Sequence, residues 1–436
     1  MRDSSTTTQL DDNRAALFRL FLILAAGIFA ATLTGVEKTV AVVFAVVLMV
    51  MLHELGHFAT AKWTGMKATE FFFGFGKRLW SVQKGETEYG VKAIPAGGYV
   101  KIIGMHNLDP VEPEDEPKAY RNQPTWARVL VVSAGSIMHF LLAFLMLFAL
   151  NAFVGVDKPA GNILQIEGIT RLQNGPSPAA EAGLRPGDRI LSVDGHRFTP
   201  TDPKDADLPA YVQKRIGEPV RFVVERKGQQ ATIVVTPVDR SKVQIAPTDK
   251  AAAPEAAQPT EPTGFVGIEM TQAHHIVTTN PVSAVGRSVM DLGSNTKLVF
   301  KALGSFVSTK GLKSYGDQLT GHAAGKQPAA DEPRFLSPIG LVQVASVAAD
   351  NGLRTVLYLL MSINLFVGIF NMIPLLPLDG GHVAIALYEK IRSRKGKRYR
   401  VDVAKLIPVT TFVFLLIVFI GITALYLDIA HPLKFQ

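Results

Sequence analysis

Four long apolar segments alternate with polar stretches along the chain. They cover residues 40–61, 129–153, 353–376 and 406–427, and each has about the 20 residues that a helix needs to cross a hydrocarbon core. A shorter apolar segment, 20–35, follows two arginines and fits either an extra N-terminal membrane helix or a cleavable signal peptide. We favour the uncleaved helix, and either choice leaves the later segments in the same orientation.

The basic residues predict which ends of these segments lie in the cytoplasm. The stretch 390–400, KIRSRKGKRYR, has seven basic residues and no acid. Because short cytoplasmic loops are enriched in Lys and Arg, this stretch and the connection 62–128 are expected inside, and 157–351 outside. The net charge of +8 is therefore interpreted as a topology signal. Nucleic-acid binding is the less favoured alternative because the basic stretch adjoins the membrane.

Composition supports the membrane class and restricts the chemistry. Hydrophobic residues make up 48% of the chain and charged residues only 19%, below the quarter or so that is usual in soluble domains. The chain has no cysteine, which excludes disulfides, thiolate metal sites and cysteine nucleophiles. Any metal must therefore be bound by His, Asp or Glu.

A helical metal-binding motif lies inside the first long apolar segment. His53, Glu54 and His57 form His-Glu-x-x-His. Residues four apart share one helix face, so both imidazoles can bind one ion, and the glutamate can take a proton from water. Because each charged group inside a spanning helix costs roughly 2.5–3.5 kcal/mol, two packing histidines with an incidental glutamate are the less favoured interpretation.

A catalytic zinc site needs a third protein ligand, and Asp379 is the candidate. It lies in the stretch NLFVGIFNMIPLLPLDGGH, just after an apolar run in which Pro374 and Pro377 interrupt the helix. A broken helix end can line a polar cavity at membrane depth. His382 is more simply explained by packing, and His274 and His275 by solvent exposure.

Five motifs occur along the chain in the order HELGH, GFGKRLWSVQKGETEYGVKAIPAGGYVKIIGM, PAAEAGLRPGDRILSVDG, SPIG and NMIPLLPLDGGH. This ordered set resembles the site-2 proteases, the intramembrane zinc metalloproteases, in their actinobacterial form with one PDZ domain. The resemblance implies that His53, His57 and Asp379 bind Zn²⁺, that Glu54 is the general base and that Asn371 helps to hold substrate. One departure is AGSIMH at 134–139, because the family has Asn where this chain has His139. His139 either packs or reaches the metal cavity.

The resemblance also interprets the polar connections. Residues 70–105 carry strand signals and are expected to form a hairpin that dips into the membrane and pairs with unwound substrate. Residues 162–238 resemble a PDZ domain, which either binds peptide or excludes bulky substrates. The region 246–264 has the composition of a disordered linker, and 314–334 that of a flexible loop. Apolar positions within 282–306 predict an amphipathic helix, on the outer membrane surface or against the PDZ domain.

The expected fold class is a polytopic α-helical membrane protein with four core transmembrane helices, an extra N-terminal one, a membrane-associated β-hairpin and one extracytoplasmic PDZ-like α+β domain. The predicted organisation begins with a cytoplasmic tail and the extra segment (1–35), a transmembrane helix with HELGH (36–62), a cytoplasmic or re-entrant hairpin region (63–126) and a second transmembrane helix (127–156). The outer part follows, with the PDZ-like domain (157–242), a linker (243–264) and an extracytoplasmic region with an amphipathic helix (265–350). The chain then continues with a transmembrane helix that has the LDG motif (351–382), a basic cytoplasmic loop (383–405) and a C-terminal transmembrane helix with a tail (406–436).

The predicted activity is zinc-dependent hydrolysis of peptide bonds within transmembrane segments. The resemblance implies single-span substrates in the plasma membrane, such as anti-sigma factors already shortened by another protease, or signal-peptide remnants. One alternative is an intramembrane metal transporter or sensor, which would use the histidines but not require Glu54. The other is an inactive PDZ scaffold, which would be free to lose Glu54 or Asp379.

Overall fold

The computed structural model describes residues 32–33, 35–105, 109–198, 208–246, 261–320, 334–393 and 399–430. Most of the predicted N-terminal segment 20–35, most of the linker 246–264 and the end of the predicted loop 314–334 lie outside these residues. The described chain forms two compact units, each of which is treated by itself. The helical unit comprises residues up to Val154 and from Thr279 onward, and the sheet unit comprises Gly155–Thr278.

The helices of the described chain alternate with two groups of strands. The helices are α1 (Glu37–Trp63), α2 (Thr125–Ala149), α3 (Pro178–Glu181), α4 (Leu208–Gln213), α5 (Pro281–Phe306), α6 (Thr309–Thr320), α7 (Pro338–Asp350), α8 (Leu353–Asn371), α9 (Asp379–Arg392) and α10 (Ile407–Ala430). The strands are β1 (Ala68–Lys84), β2 (Thr87–Ile102), β3 (Val156–Ile169), β4 (Arg189–Val193), β5 (Val220–Arg226), β6 (Gln229–Val235), β7 (Val238–Asp239), β8 (Gly264–Phe265) and β9 (Ile268–Val277).

Four helices of the described chain are long and apolar enough to cross a membrane. They are α1, α2 with the π-helical turn that continues it to Val154, α8, and α10 with the short 3-10 turn that begins at Val403. Each overlaps one of the four apolar segments of the sequence. The chain is therefore a multi-pass membrane protein with additional sheet structure.

The third of these spans ends before the predicted apolar segment 353–376 does. Within the predicted segment 351–382, α8 ends at Asn371 and α9 begins at Asp379, so the helix is interrupted around the two prolines, as the sequence predicted. Pro374 and Pro377 lie between them and cannot donate the backbone hydrogen bonds that would continue a helix. Part of the expected basic loop 383–405 is consequently helical, because α9 extends to Arg392.

α2 lies at the centre of the helical unit. It packs against α1, α8, α9 and α5. Its approach to α1 is close, since a Cβ built on Gly56 of α1 would lie 2.7 Å from the carbonyl oxygen of Ala134 on α2. Small residues at a helix crossing let two backbones approach in this way. The crossing brings the His-Glu-x-x-His motif of α1 directly against α2.

The first β region folds back on itself beside α1. Residues 70–73 of β1 pair with 98–101 of β2 on one side and with 88–91 of the same strand on the other. The segment 98–102 is therefore an outer segment of this ribbon. It packs against α1 and contributes Ile102 to an apolar cluster with Ala61 and Val131.

The sheet unit contains a five-stranded antiparallel sheet in the order β6-β5-β4-β3-β9. The predicted boundary at residue 242 is therefore too early, because β9 pairs along β3 after the intervening linker. A buried carboxylate, Asp188, accepts two hydrogen bonds from Arg226, of 2.7 and 2.6 Å. Burial opposes the charged form, but these bonds and the Arg185 N–H outweigh it and hold the pKa of Asp188 below its usual range.

The region between this sheet and α7 also differs in part from expectation. The amphipathic pattern over 282–306 corresponds to α5, which extends from Pro281 to Phe306. The following segment was predicted to be a loop from residue 314, but α6 continues to Thr320. Tyr315 of α6 explains the extension, since its hydroxyl lies 2.7 Å from that of Thr423 on α10 and fixes the helix by a tertiary contact.

Candidate metal centre

Two histidines of α1 face α2 one helical turn apart. His53 and His57 are each only 7% exposed. Their Nε2 atoms lie 3.1 Å from each other. The helix alone produces this arrangement, because residues four apart lie on the same face.

Asp379, the first residue of α9, completes a group of three ligand atoms. Its Oδ2 lies 3.3 Å from Nε2 of His53 and 3.4 Å from Nε2 of His57. Ligands at 2.0–2.1 Å around a tetrahedral zinc ion are about 3.3 Å apart, which matches all three separations. Among the described residues, these are the ones that form such a His/Asp/Glu group.

The hydrogen bonds around the group favour metal binding over hydrogen bonding among the two histidines and the aspartate themselves. His57 Nδ1 lies 2.7 Å from the carbonyl oxygen of Val131 and donates its proton there, so Nε2 presents a lone pair. Asp379 Oδ2 is buried without a hydrogen-bond partner of acceptable geometry, and it faces the Nε2 atoms of both histidines. A carboxylate oxygen and two imidazole nitrogens that converge in this way fit a zinc ion.

Glu54 lies beside this group and is held by the β ribbon. Its Oε2 accepts a hydrogen bond of 3.1 Å from the backbone N–H of Val100 in β2. The three candidate ligands and Glu54 line a cavity of about 140 Å³, together with Val100, Ile102, Met105, Val131 and Val132. The cavity has room for water and for part of a peptide next to the carboxylate.

α2 provides the surface against which the imidazoles pack. A Cβ built on Gly135 would lie 2.4 Å from His53 Cε1 and 2.5 Å from His57 Nε2. No residue other than glycine fits there without displacing the histidines. The AGSIMH stretch departs from the family pattern, but its residue spacing does not predict this role for Gly135.

His139 packs against the site without joining the ligand group. Its ring lies 4.9 Å from that of His53, centroid to centroid, and its Nδ1 lies 2.8 Å from Oδ1 of Asn364. The Asn364 amide nitrogen donates to the Leu360 carbonyl and contacts Met49 sulfur, which leaves Oδ1 to accept from His139. His139 therefore supports His53 from behind.

The remaining predicted residues are not among the three grouped ligands. Asn371 is half-buried at the C-terminal end of α8, eight residues before Asp379. His382 lies on α9 and lines a separate small cavity with Arg128 and Glu389. His274 and His275 are exposed on β9 in the sheet unit.

Comparison with known proteins decides the family. The model of peptidase family M50 matches residues 41–418. The chain belongs to peptidase family M50. A similar protein is zinc metalloprotease Rip1 of Mycolicibacterium smegmatis, 31% identical over 421 residues that cover 89% of this chain and 96% of the relative. Rip1 of Mycobacterium tuberculosis is 31% identical with the same coverage, and a putative zinc metalloprotease of Brucella suis is 29% identical over 80% of this chain.

The M50 membership confirms the resemblance found in the sequence, because M50 is the site-2 protease family. It also confirms the enzyme class and the cofactor: the chain is a zinc metalloprotease. The transporter and scaffold alternatives lose their support. The His-His-Asp geometry is consistent with this cofactor.

We expect Gly135→Ala to weaken zinc binding, because its methyl group would displace the two imidazoles from their shared point. A loss of about 10–100-fold in affinity is typical when the support of metal ligands is disturbed. The measurement is zinc retention by the purified protein in competition with a chelator. Gly421→Ala is the control, since it is also a helical glycine but no atom lies within 4 Å of its added Cβ. Unchanged zinc retention in Gly135→Ala would contradict the packing role.

Proposed function

We propose that this M50 protease cleaves peptide bonds inside membrane-spanning segments, with His53, His57 and Asp379 as zinc ligands, Glu54 as the general base and Asn371 as a substrate-binding residue. The observation that carries the proposal is the set of 3.1, 3.3 and 3.4 Å separations among the three ligand atoms. Two of these atoms belong to a helix that is long and apolar enough to cross a membrane.

The chemistry divides between the ion and the side chains around it. Zinc, when bound, supplies a Lewis acid that polarises the scissile carbonyl and acidifies water. Glu54 takes the proton of the attacking water and delivers it to the leaving amine. The Val100 N–H holds one oxygen of Glu54, and the carboxylate lines the cavity. Val131 keeps His57 in the tautomer that leaves Nε2 free.

Substrate must present an extended peptide bond to this cavity. In a helix each peptide group is internally hydrogen-bonded and enclosed by side chains, so part of the target span has to unwind. We propose that the 98–102 segment of β2 receives the unwound chain by strand addition. Its position supports this role, because Val100 of that segment touches Glu54 and lines the catalytic cavity.

The proposed orientation puts the C-terminal end of α1 and the start of α2 at the cytoplasmic surface. Trp63 ends α1 and is 76% exposed, and Trp126 begins α2 and is 62% exposed. Tryptophan favours the membrane–water interface, and the basic residues Lys62 and Lys67 adjoin the same end. The sheet unit is then proposed as an extracytoplasmic PDZ-like domain that binds peptide or excludes bulky substrates.

The proposed substrates are single-span proteins of the plasma membrane. Anti-sigma factors shortened by an earlier cut and signal-peptide remnants fit, because both present a membrane span with little attached mass on the outer side. Cleavage near the cytoplasmic surface would release a soluble fragment into the cytoplasm. The lipid bilayer is the surrounding partner, and no nucleic-acid partner is proposed.

Glu54→Gln should abolish cleavage and leave zinc binding near one ion per chain, because it removes the proton acceptor but no ligand. A fall in kcat of at least about 10²–10⁴-fold is expected for a lost general base. The assay is cleavage of a truncated single-span anti-sigma-factor-like substrate in detergent, with zinc content measured on the same preparations. Cleavage by the variant at the wild-type rate would remove Glu54 from the mechanism.

The cysteine-free sequence allows a direct test of orientation. Single substitutions Glu114→Cys and Glu255→Cys should be labelled by a membrane-impermeant maleimide from opposite sides. In intact cells we expect labelling at position 255 only, and at position 114 after permeabilisation. Labelling of both from the same side would contradict the proposed topology.

A further inference from the structure

A buried charged pair of the helical unit has no part in the proposed mechanism. Arg128 of α2 donates from Nη1 to Oε2 of Glu389 on α9 at 2.7 Å. The two residues are only 9% and 7% exposed. Burial of two charges costs desolvation energy that their attraction often does not recover, so such a pair contributes little reliable stability. A geometric role is the better explanation.

Both partners are fixed by further contacts. The second oxygen of Glu389, Oε1, accepts a 2.8 Å hydrogen bond from the backbone N–H of Val401. The Arg128 guanidinium lies over the ring of Tyr120, 4.9 Å from its centroid. The pair is therefore held in one geometry and joins two helices at a defined point.

This point is connected to the zinc site through both helices. On α9, Glu389 follows Asp379 by ten residues, or about 15 Å along a rigid helix. On α2, Arg128 precedes Val131 by about one turn, and Val131 accepts the hydrogen bond from His57. The same face of α2 thus holds α1 through the hydrogen bond from His57 and holds α9 through Glu389.

The N-terminal end of α9 is fixed differently. A Cβ built on Gly380 would lie 2.3 Å from the Met372 carbonyl oxygen, and one on Gly381 2.5 Å from the Leu376 nitrogen. These glycines let α9 start close against the chain that follows α8. They fix the start of α9, whereas the direction of the helix from that point depends on its packing against α2 further along. Glu389 supplies the charged contact in that packing.

We propose that Arg128 and Glu389 are positioning residues that fix α9 against α2 and thereby bring Asp379 Oδ2 to the Nε2 atoms of His53 and His57. The inference rests on the proposed assignment of Asp379 as a zinc ligand. Beyond that assignment, it states that the placement of Asp379 requires two residues that lie far in sequence from the His-Glu-x-x-His motif.

The chain offers a matched control in another buried ion pair. Arg334 donates to Asp428 of α10 at 2.8 Å, and their side chains are 8% and 0% exposed. Asp428 also accepts the backbone N–H of Ser337 just before α7. The pair has the same chemistry as Arg128–Glu389, yet neither α10 nor α7 carries a proposed zinc ligand.

The test compares Glu389→Gln with Asp428→Asn in the full-length protein. Zinc retention against a chelator, thermal stability, and kcat and KM on a single-span substrate are measured for each. We expect both variants to lose stability, but only Glu389→Gln to lose about 10–100-fold in zinc affinity, the range seen when the support of a ligand is removed. Its kcat should fall at saturating zinc with KM nearly unchanged, since substrate binding elsewhere is intact.

Two further variants keep the test decisive. Arg128→Met combined with Glu389→Leu removes both charges together, which buried pairs usually tolerate, and it should fold but still bind zinc weakly. Arg128→Lys keeps the positive charge and should therefore bind zinc more tightly than the double variant, though less tightly than the wild type. Wild-type zinc affinity in Glu389→Gln, or an equal loss in Asp428→Asn, would overturn the proposal.

Asp379→Ala separates this proposal from the one on which it rests. If Asp379→Ala retains zinc like the wild type, the ligand assignment itself is wrong. If Asp379→Ala loses zinc and Glu389→Gln does not, the ligand assignment stands and only the positioning role is refuted.

Discussion

The close crossing of α1 and α2 is the constraint on which the metal centre depends. Two glycines make it possible: Gly56 lets α1 approach the α2 backbone, and Gly135 leaves the space that the two imidazoles occupy. A side chain at Gly56 would clash with the Ala134 carbonyl, and one at Gly135 would clash with the imidazoles, so either would disturb the hydrogen bond from His57 to Val131. That bond fixes which nitrogen of His57 is available to a metal.

α2 carries none of the proposed ligands but organises all of them. Along one of its faces, Arg128 holds α9, Val131 holds His57, Gly135 accommodates both imidazoles and His139 packs behind His53. These positions are three to four residues apart, which is the spacing of a helix face. A rigid element with its own anchors can hold ligands from two other segments within the few tenths of an ångström that zinc coordination demands.

Much of the site could be predicted from local sequence patterns, and the rest could not. His53, Glu54 and His57 share one helix, so their spacing alone predicts their common face. The proline-rich stretch before Asp379 indicated a helix break, although not that a new helix begins at the aspartate.

The contacts between distant residues could not be predicted in this way. The contact between Glu54 and Val100 joins residues 46 apart, and that between Arg128 and Glu389 joins residues 261 apart. No periodicity carries such information, because these contacts depend on how the elements pack. The same reason accounts for the misplaced boundary before β9, whose partner β3 begins more than 100 residues earlier.

The most direct test of the account is the zinc coordination itself, measured by X-ray absorption at the zinc edge on the purified protein in detergent. The geometry predicts two imidazole nitrogens and carboxylate oxygen at about 2.0–2.2 Å, with the carboxylate contribution absent in Asp379→Ala. A site with three imidazoles would contradict the account, because it would bring His139 or His382 into the coordination sphere and leave Asp379 without its proposed role.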